Sequence, residues 1–331
     1  MATLSSTNPT LADVAARMTA DGKIDPAIVE MLNETNEILD DMTVIEANGF
    51  TEHKTTIRSG LPTGTWRKLN YGVQPEKSRT VSVKDSLGML ETYAEVDKAL
   101  ADLNGNSAAW RLSEDRAFIE GINQNMATTL FYGDASADPE KFTGLAPRYN
   151  LLSAENGINI VDAGGSGSSN TSIWLVVWGP NTCHSIYPKG SPAGLQSRDL
   201  GEDTLLDAAG GRYQGYRTHY KWDLGLTLRD WRYVVRIANV DHTTLTKNAG
   251  SGADLIDLMT QAVELIPNIG MGRPVFYCSR KIRSFLRRQI TNKVANSTLT
   301  MEDIGGKKVV AFDGVPVRRT DSLLHTEARV V

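Results

Sequence analysis

The hydrophobic pattern of the first 47 residues predicts two short amphipathic helices. The first apolar stripe has the i, i+3, i+4, i+7 spacing of one helix face and consists of Leu11, Val14, Ala15 and Met18. Asp25 and Pro26 then predict the start of a helix. An Asp side chain can accept hydrogen bonds from the free backbone N–H groups of the first turn, and Pro has a fixed φ that suits the first helical position. The second stripe consists of Ile28, Leu32, Thr35, Leu39 and Met42. Such short helices cannot bury these stripes alone, so we expect them to pack on the body or on a neighbouring chain.

Residues 50–83 are polar, rich in Thr and interrupted by the Gly/Pro-rich segment 59–64. This pattern predicts two strands, residues 52–58 and 65–69, joined by a turn. A lone two-stranded ribbon is only marginally stable in water. Trp66 is the largest apolar side chain of the predicted ribbon and its one large anchor, with Leu61, Pro62 and Arg67 beside it. We therefore expect another subunit to support this ribbon.

Helical spacing is clearest over Ser107–Tyr132, where the apolar positions are Ala117, Phe118, Ile122, Met126 and Leu130. Gly133 follows as a stop signal. A helix of this length spans about 39 Å at 1.5 Å per residue. This length predicts a long helix that runs along a flat molecule.

The rest of the chain mixes strand and helix patterns. Strands are predicted at residues 173–178, 233–240 and 274–278, and helices at residues 255–266 and 279–290. Residues 163–170 have the composition of a surface loop. Asp313 and Gly314 form a strong two-residue turn signal, which predicts a hairpin of residues 307–312 with residues 315–319.

The composition is that of an ordinary globular protein. The chain has 331 residues, 40% of them hydrophobic, and a net charge of −4. The polar start lacks an apolar signal-peptide core, which predicts synthesis and use in a cytoplasm. Cys183 and Cys278 have no metal-binding spacing, so we expect two buried free thiols.

Charge is distributed unevenly. Residues 1–50 hold nine acidic and two basic side chains, whereas residues 273–331 hold 12 basic and five acidic ones. The acidic and basic ends could attract each other between copies, or they could be two separate solvated surfaces.

No combination of residues indicates catalysis. The glycines around Gly165 fit neither a nucleophile elbow nor a phosphate loop. His219 and Asp223 lie four residues apart, but a metal site needs three or four ligands. We predict no catalytic, cofactor or metal site and no enzyme activity.

A basic helix face near the C-terminus permits two interpretations. Arg280, Arg283 and Arg287 share one face of the predicted helix. They could contact DNA phosphates without reading sequence. The alternative is a solvated or salt-bridged face opposite the apolar stripe.

Several segments resemble the major capsid proteins of tailed bacteriophages when they are taken in order. Two of these segments lie at or after the end of the predicted spine helix: Phe131-Tyr132-Gly133-Asp134 and Phe142-Thr143-Gly144-Leu145. The others are the strand and helix from Pro274 to Arg287, the hairpin around Asp313-Gly314, and Gly60–Arg67, which lies where the family has its extended loop. The resemblance covers residues 48–331.

The resemblance implies an α+β, Hong Kong-phage-like capsid fold. Its parts would be an N-terminal arm (1–47), an extended β loop with the following segment (48–100), a peripheral domain with a long spine helix (101–150 and 271–331), and an axial domain (151–270). Lys54 and Lys68 lie in the ribbon, but no acidic partner for covalent linkage between neighbours is evident.

The function implied by the resemblance is self-assembly into an icosahedral shell around double-stranded DNA. The subunits would form hexamers and pentamers, in contact through Trp66, Arg67, Leu61, Pro62, Ile28, Leu32 and Leu39. Further partners would be a separate scaffolding protein, a portal protein and a decoration protein, with assembly in the host bacterial cytoplasm, no processing of the N-terminus and no membrane. The alternatives are a bacterial nanocompartment (encapsulin-like) shell, an enzyme with an unrecognised site, and a phage tail or baseplate protein.

Overall fold

A computed structural model describes residues 34–102, 107–207, 209–247, 252–292, 299–304 and 307–331. Six α-helices lie in these ranges: α1 (Ile38–Asp41), α2 (Lys98–Ala101), α3 (Ser107–Tyr132), α4 (Leu145–Arg148), α5 (Leu255–Glu264) and α6 (Arg280–Asn292). Short 3₁₀ turns occur at Glu155–Asn159, Trp231–Tyr233 and Ile269–Met271. Among these helices, none combines the length and the apolar character needed to cross a membrane.

The described strands form one mixed sheet of 13 strands. They are β1 (Val44–Glu46), β2 (Glu52–Gly60), β3 (Arg79–Asp97), β4 (Ile160–Asp162), β5 (Asn170–Trp178), β6 (Cys183–Tyr187), β7 (Gln196–Leu206), β8 (Arg212–Leu228), β9 (Val234–Asp241), β10 (Arg273–Cys278), β11 (Leu299–Ile304), β12 (Lys307–Phe312) and β13 (Val315–Arg319). The main path runs β11-β12-β13-β10-β5-β6-β8-β3-β2, with β7 beside β8 and β9 beside β5.

Strand β5 lies at the centre of the core and is buried on both faces. Ile173, Leu175 and Val177 point toward the cluster that includes α5 and α6. Their neighbours Trp174 and Val176 point toward the cluster that includes α3. Because successive strand residues face opposite sides, burial on both faces requires an unbroken apolar run. This confirms the predicted strand at residues 173–178.

The spine helix α3 has the predicted bounds, Ser107–Tyr132. Ile122, Met126 and Leu130 are buried in the core at helical spacing. The helix stops at Gly133, whose backbone N–H donates to the carbonyl of Thr129. A Cβ at Gly133 would come within 2.5 Å of the Phe142 carbonyl oxygen, so glycine is required there for close packing.

The C-terminal hairpin is also confirmed. Strands β12 and β13 pair in antiparallel fashion around Asp313 and Gly314. Both turn residues have positive φ, 49° and 75°, as a type I′ turn requires. Strand β13 also pairs with β10 in parallel orientation, and this pairing joins the hairpin to the central sheet.

The predicted second strand of the ribbon is wrong. Residues 65–69 are not a strand; β2 pairs instead with residues 79–86 of β3, and residues 61–78 form the connection. The ribbon is solvent-exposed along much of both faces, so its strands carry no alternating apolar pattern from which the sequence could reveal their register.

The hairpin of β7 and β8 lies beside the spine helix. Strand β8 pairs with β3 from Leu87↔Gly225 to Asp97↔Gly215, and β7 pairs with β8. Arg111 of α3 donates to Asp199 of β7 at 2.5 Å. Residues 196–228, predicted within the axial domain, therefore pack against the element predicted to form the peripheral domain.

Candidate functional site

The extended ribbon ends in a tip, residues 61–78, whose large side chains lie in solvent. Trp66 is fully exposed, and Leu69 and Leu61 are exposed by 84% and 73%. Pro62 and Arg67 are exposed as well. The backbone N–H groups of Thr63 and Gly64 donate to Glu76 Oε2 at 2.8 and 3.2 Å, which closes the tip into a defined loop.

Charge adds to the unusual character of this tip. Residues 61–78 carry one acidic side chain, Glu76, and three basic ones: Arg67, Lys68 and Lys77. Burial of exposed Trp and Leu side chains against a partner is favourable by about 25 cal/mol per Å² of apolar area removed from water. The tip thus combines an apolar anchor with cationic groups, as contact surfaces commonly do.

The ribbon joins the body within β3. Up to Ser86 this strand pairs with β2, and from Leu87 it pairs with β8. Arg148 donates to Asp85 at 2.8 Å and also to the Leu226 carbonyl at 3.0 Å. This ion pair, with the Asp85 side chain almost fully buried, ties the base of the ribbon to the body.

The end of the predicted arm packs into the body of its own chain. Ile38 is completely buried in the core next to α3 and β5, and Leu39 is half-buried against the same cluster. Strand β1 pairs with β6. Residues 35–47 thus pack on the body of the same chain, which is one of the two possibilities expected for the predicted arm of residues 1–47. Ile28 and Leu32 lie outside the described residues.

Acidic groups of this segment meet basic groups from the C-terminal region. Asp41 pairs with Arg273, and with Arg318 at 3.3 Å; Glu37 pairs with Arg318 at 3.0 Å. Burial raises the pKa of Asp41, while the charges of Arg318 and Arg273 oppose this shift. At these residues the expected attraction between the acidic and basic ends operates within one chain.

The side-chain amide of Asn36 anchors the segment of residues 35–47 to the C-terminal region. Its Oδ1 accepts hydrogen bonds from Thr320 Oγ1 at 2.9 Å and Ser322 Oγ at 2.6 Å. The backbone N–H of Asp321 donates to it at 3.2 Å. No local sequence pattern indicates this role of Asn36, because its partners lie 284 to 286 residues away.

The basic helix face is partly neutralised. Arg280 forms a bidentate salt bridge with Asp321, in which Nε donates to Oδ1 at 2.7 Å and Nη2 donates to Oδ2 at 2.5 Å. Arg283 is half-buried and Arg287 is exposed. The salt-bridged interpretation therefore holds for Arg280, while DNA contact by Arg283 and Arg287 stays a prediction.

The exposed face of β3 and β8 carries a ladder of paired charges. His219 contacts Glu91 at 3.1 Å and stacks on Tyr93, with ring centroids 4.5 Å apart. Lys221 bridges Glu91 and Asp223 at 3.3 and 3.2 Å. Among the described residues, no group of three His, Cys, Asp or Glu could hold a metal ion.

Both cysteines are buried free thiols, as predicted. Burial raises the pKa of Cys183 and of Cys278 to about 12. Thiols with such a pKa are protonated at neutral pH and are poor nucleophiles. Cys183 and His184 are neighbours on β6, where successive side chains point to opposite faces.

Comparisons with known proteins agree with this architecture. The family model described as Major capsid protein GP7 matches residues 19–331. A structure of bacteriophage Epsilon15, solved by cryo-EM and modeling, is 43% identical with a TM-score of 0.79, over 100% of this chain and 99% of that one. The bacteriophage JBD30 capsid shares the fold at 12% identity and a TM-score of 0.53, over 95% of this chain and 99% of that one.

A third solved structure is less similar to this chain than these two. The holo-SrpI encapsulin complex of Synechococcus elongatus is 12% identical with a TM-score of 0.44, over 70% of this chain and 97% of that one. A comparison with curated protein sequences found no match. The family match and the identity to the Epsilon15 structure show that the chain belongs to the Major capsid protein GP7 family and is a structural subunit of the virion shell of a tailed bacteriophage.

Proposed function

We propose that copies of this chain form the hexamers and pentamers of an icosahedral shell, and that the extended ribbon of each copy lies across a neighbour. The observation that carries this proposal is the tip: Trp66 and its apolar neighbours project from a two-stranded ribbon into solvent. A ribbon of this kind is marginal alone and needs a supporting surface. A neighbouring copy supplies that surface in a closed shell.

The contact residues belong to two groups. Leu61, Pro62, Trp66 and Arg67 form the tip contact, and Trp66, which is exposed in the single chain, is the anchor that a neighbouring copy buries. Ile28 and Leu32 act in the arm. Leu39 already packs against its own core, so its role is to hold the arm's base in place.

The four-part division of the chain is part of the proposal. Because Ile38 and β1 pack in the body, we place the boundary between arm and body before Thr35. The hairpin of β7 and β8 belongs with the peripheral domain, since it contacts α3 and pairs with β3. The axial domain then comprises the remaining parts of residues 151–270.

The further partners are a separate scaffolding protein, a portal protein, a decoration protein and the packaged double-stranded DNA, with assembly in the host bacterial cytoplasm. Family membership supports these partners. DNA would be held through phosphate contacts, for which Arg283 and Arg287 are the candidates. The role of the chain is mechanical, and no catalytic step is assigned to it.

Electron microscopy of the purified protein tests the proposal. We expect closed shells of uniform size from the wild-type chain, and a folded subunit without stable shells from Trp66→Ala or from deletion of residues 60–64. Ile158→Ala serves as the control, because Ile158 is also exposed but lies outside the tip. Normal shells from both tip variants would remove the ribbon from the proposed mechanism.

A further inference from the structure

A pair of histidines bridges the ribbon and the body at their junction. His53 lies on β2 of the ribbon, and His184 lies on β6 of the body. Their ring centroids are 6.0 Å apart, with the planes at 83°, an edge-to-face contact. His184 is only 2% exposed. This contact lies close to Ser86 and Leu87, where the strand that pairs with β3 changes from β2 to β8.

The hydrogen bonds around His53 require a neutral ring. The backbone N–H of Asn48 donates to His53 Nδ1 at 3.2 Å. A protonated imidazole carries hydrogen on both ring nitrogens and cannot accept this bond. The same Asn48 holds the start of the ribbon through two hydrogen bonds to the Lys54 backbone, at 2.6 and 2.9 Å. Protonation of His53 therefore weakens the turn from which the ribbon begins.

The environment of His184 also favours the neutral ring. The backbone of Gly179 raises the pKa of this ring, but this is the smallest influence, and burial, His53 and Arg229 all lower the pKa. The ring nitrogen Nδ1 is buried and has no hydrogen-bond partner among the described residues. A proton on that nitrogen would be a buried charged donor without an acceptor, which is costly.

The charged groups around the pair act in opposite directions: at His53, Asp85 raises the pKa more than Arg229 lowers it, and burial is the largest influence. Arg229, which follows β8, repels a charge on either ring. Asp85 on β3 is directly opposite His53 and would favour a charged ring, but its carboxylate is already paired with Arg148 of α4. Burial lowers the pKa of His53, and burial with His53 and Arg229 lowers that of His184 to about 4.

We propose that His53 and His184 form a histidine lock: while both rings are neutral, they hold the base of the extended ribbon against the body, and protonation releases it. The ribbon is then free to change its angle relative to the body. The lock is a property of the single chain. Only its consequence, a pH-dependent placement of the tip on a neighbour, rests on the proposed function.

The sign of the pH dependence follows from proton binding. A released histidine has a pKa near 6.5, and the locked His184 has one of about 4, so the released state binds more protons between these values. The lock is fully effective above about pH 6.5 and weakens as the pH falls through this window. At about pH 5 the released population rises by up to about 30-fold from His184 alone.

Hydrogen exchange of the unassembled full-length chain tests the lock. Exchange of two amides at the base of the ribbon, Lys54, which donates to Asn48, and Leu87, which donates to Thr51, is measured at about pH 7.5 and about pH 5 and corrected for the intrinsic chemical rates. We expect acid to accelerate wild-type exchange by about 10- to 30-fold. The variant His53→Asn with His184→Gln keeps an oxygen acceptor and an N–H donor near the original ring nitrogens but cannot titrate. It should lose this response.

His219→Gln is the matched control, because His219 lies on the exposed charge ladder away from the junction. It should respond to acid as the wild type does. If the double variant does not fold, His53→Asn alone should show a reduced response. An acid response that is absent in the wild type, or equal in the wild type and the lock variants, would overturn the proposal. Failure to form shells, with the acid response intact, would count against the proposed function only.

Discussion

Arg236 and Glu327 form an ion pair in the protein interior, with Nη2 and Oε2 2.7 Å apart and both side chains almost completely buried. Arg236 also donates to the Tyr149 carbonyl at 2.7 Å, and Tyr132 donates to Glu327 Oε1 at 2.5 Å. Burial and the neighbouring Glu327 carboxylate raise the pKa of Tyr132, so its hydroxyl stays protonated and donates. The network fixes the C-terminal segment between the spine helix and strand β9.

Glu327→Gln should destabilise the unassembled chain by about 3–5 kcal/mol, because it leaves the buried Arg236 charge uncompensated. Urea denaturation measures this loss as a lower midpoint. Glu202→Gln is the control, since Glu202 pairs with Lys98 at the exposed surface. Its denaturation midpoint should equal that of the wild type. Equal midpoints for Glu327→Gln and wild type would show that the buried pair does not hold the C-terminal segment.

Ile38→Ala should cost about 2–5 kcal/mol of unfolding free energy, because Ile38 is completely buried against the core. Leu61→Ala should leave the unfolding free energy unchanged, since Leu61 lies in solvent on the tip. Truncation gives a second test of the same boundary. A chain that lacks residues 1–33 should remain folded, whereas one that lacks residues 1–47 should unfold at lower denaturant. Equal stability of the two truncated chains would place residues 34–47 outside the folded body.

Two glycines should respond to alanine with opposite signs. Gly121 lies in helix α3 with no atom within 4 Å of an added Cβ, so Gly121→Ala should stabilise the chain by about 0.5–1 kcal/mol. Gly314 has a φ of 75° in the hairpin turn, so Gly314→Ala should destabilise it by about 1 kcal/mol. Thermal unfolding of the unassembled chain distinguishes the two. A stabilising effect of Gly314→Ala would contradict the assigned turn.

Local signals were sufficient for part of the fold. The helix Ser107–Tyr132 and the turn at Asp313 and Gly314 follow from apolar spacing, a stop glycine and a positive-φ turn pair, all of which act over a few residues. The strand β5 was evident as an unbroken apolar run. These elements are determined by interactions that lie close together in the sequence.

The remaining features depend on distant partners. The sequence placed Trp66 in a strand of the ribbon, whereas Trp66 lies in the connection of residues 61–78, and the strand opposite β2 begins beyond residue 78, after a connection with no burial pattern. The contacts of Asp41 with Arg273 and of Asn36 with Ser322 join residues more than 230 positions apart. Such long-range pairs leave no periodicity in a single sequence, so the sequence alone does not decide whether this end of the arm packs on its own body or on a neighbouring chain.

The central claim is that the ribbon tip finds its partner on another copy, and the exposure of Trp66 tests it most directly. Hydroxyl-radical footprinting with mass spectrometry compares Trp66 in unassembled subunits and in purified shells, with the fully buried Trp174 as the internal reference. We predict strong oxidation of Trp66 in the subunit, at least about 10-fold protection in the shell, and no change at Trp174. Equal oxidation of Trp66 in both states would contradict the account.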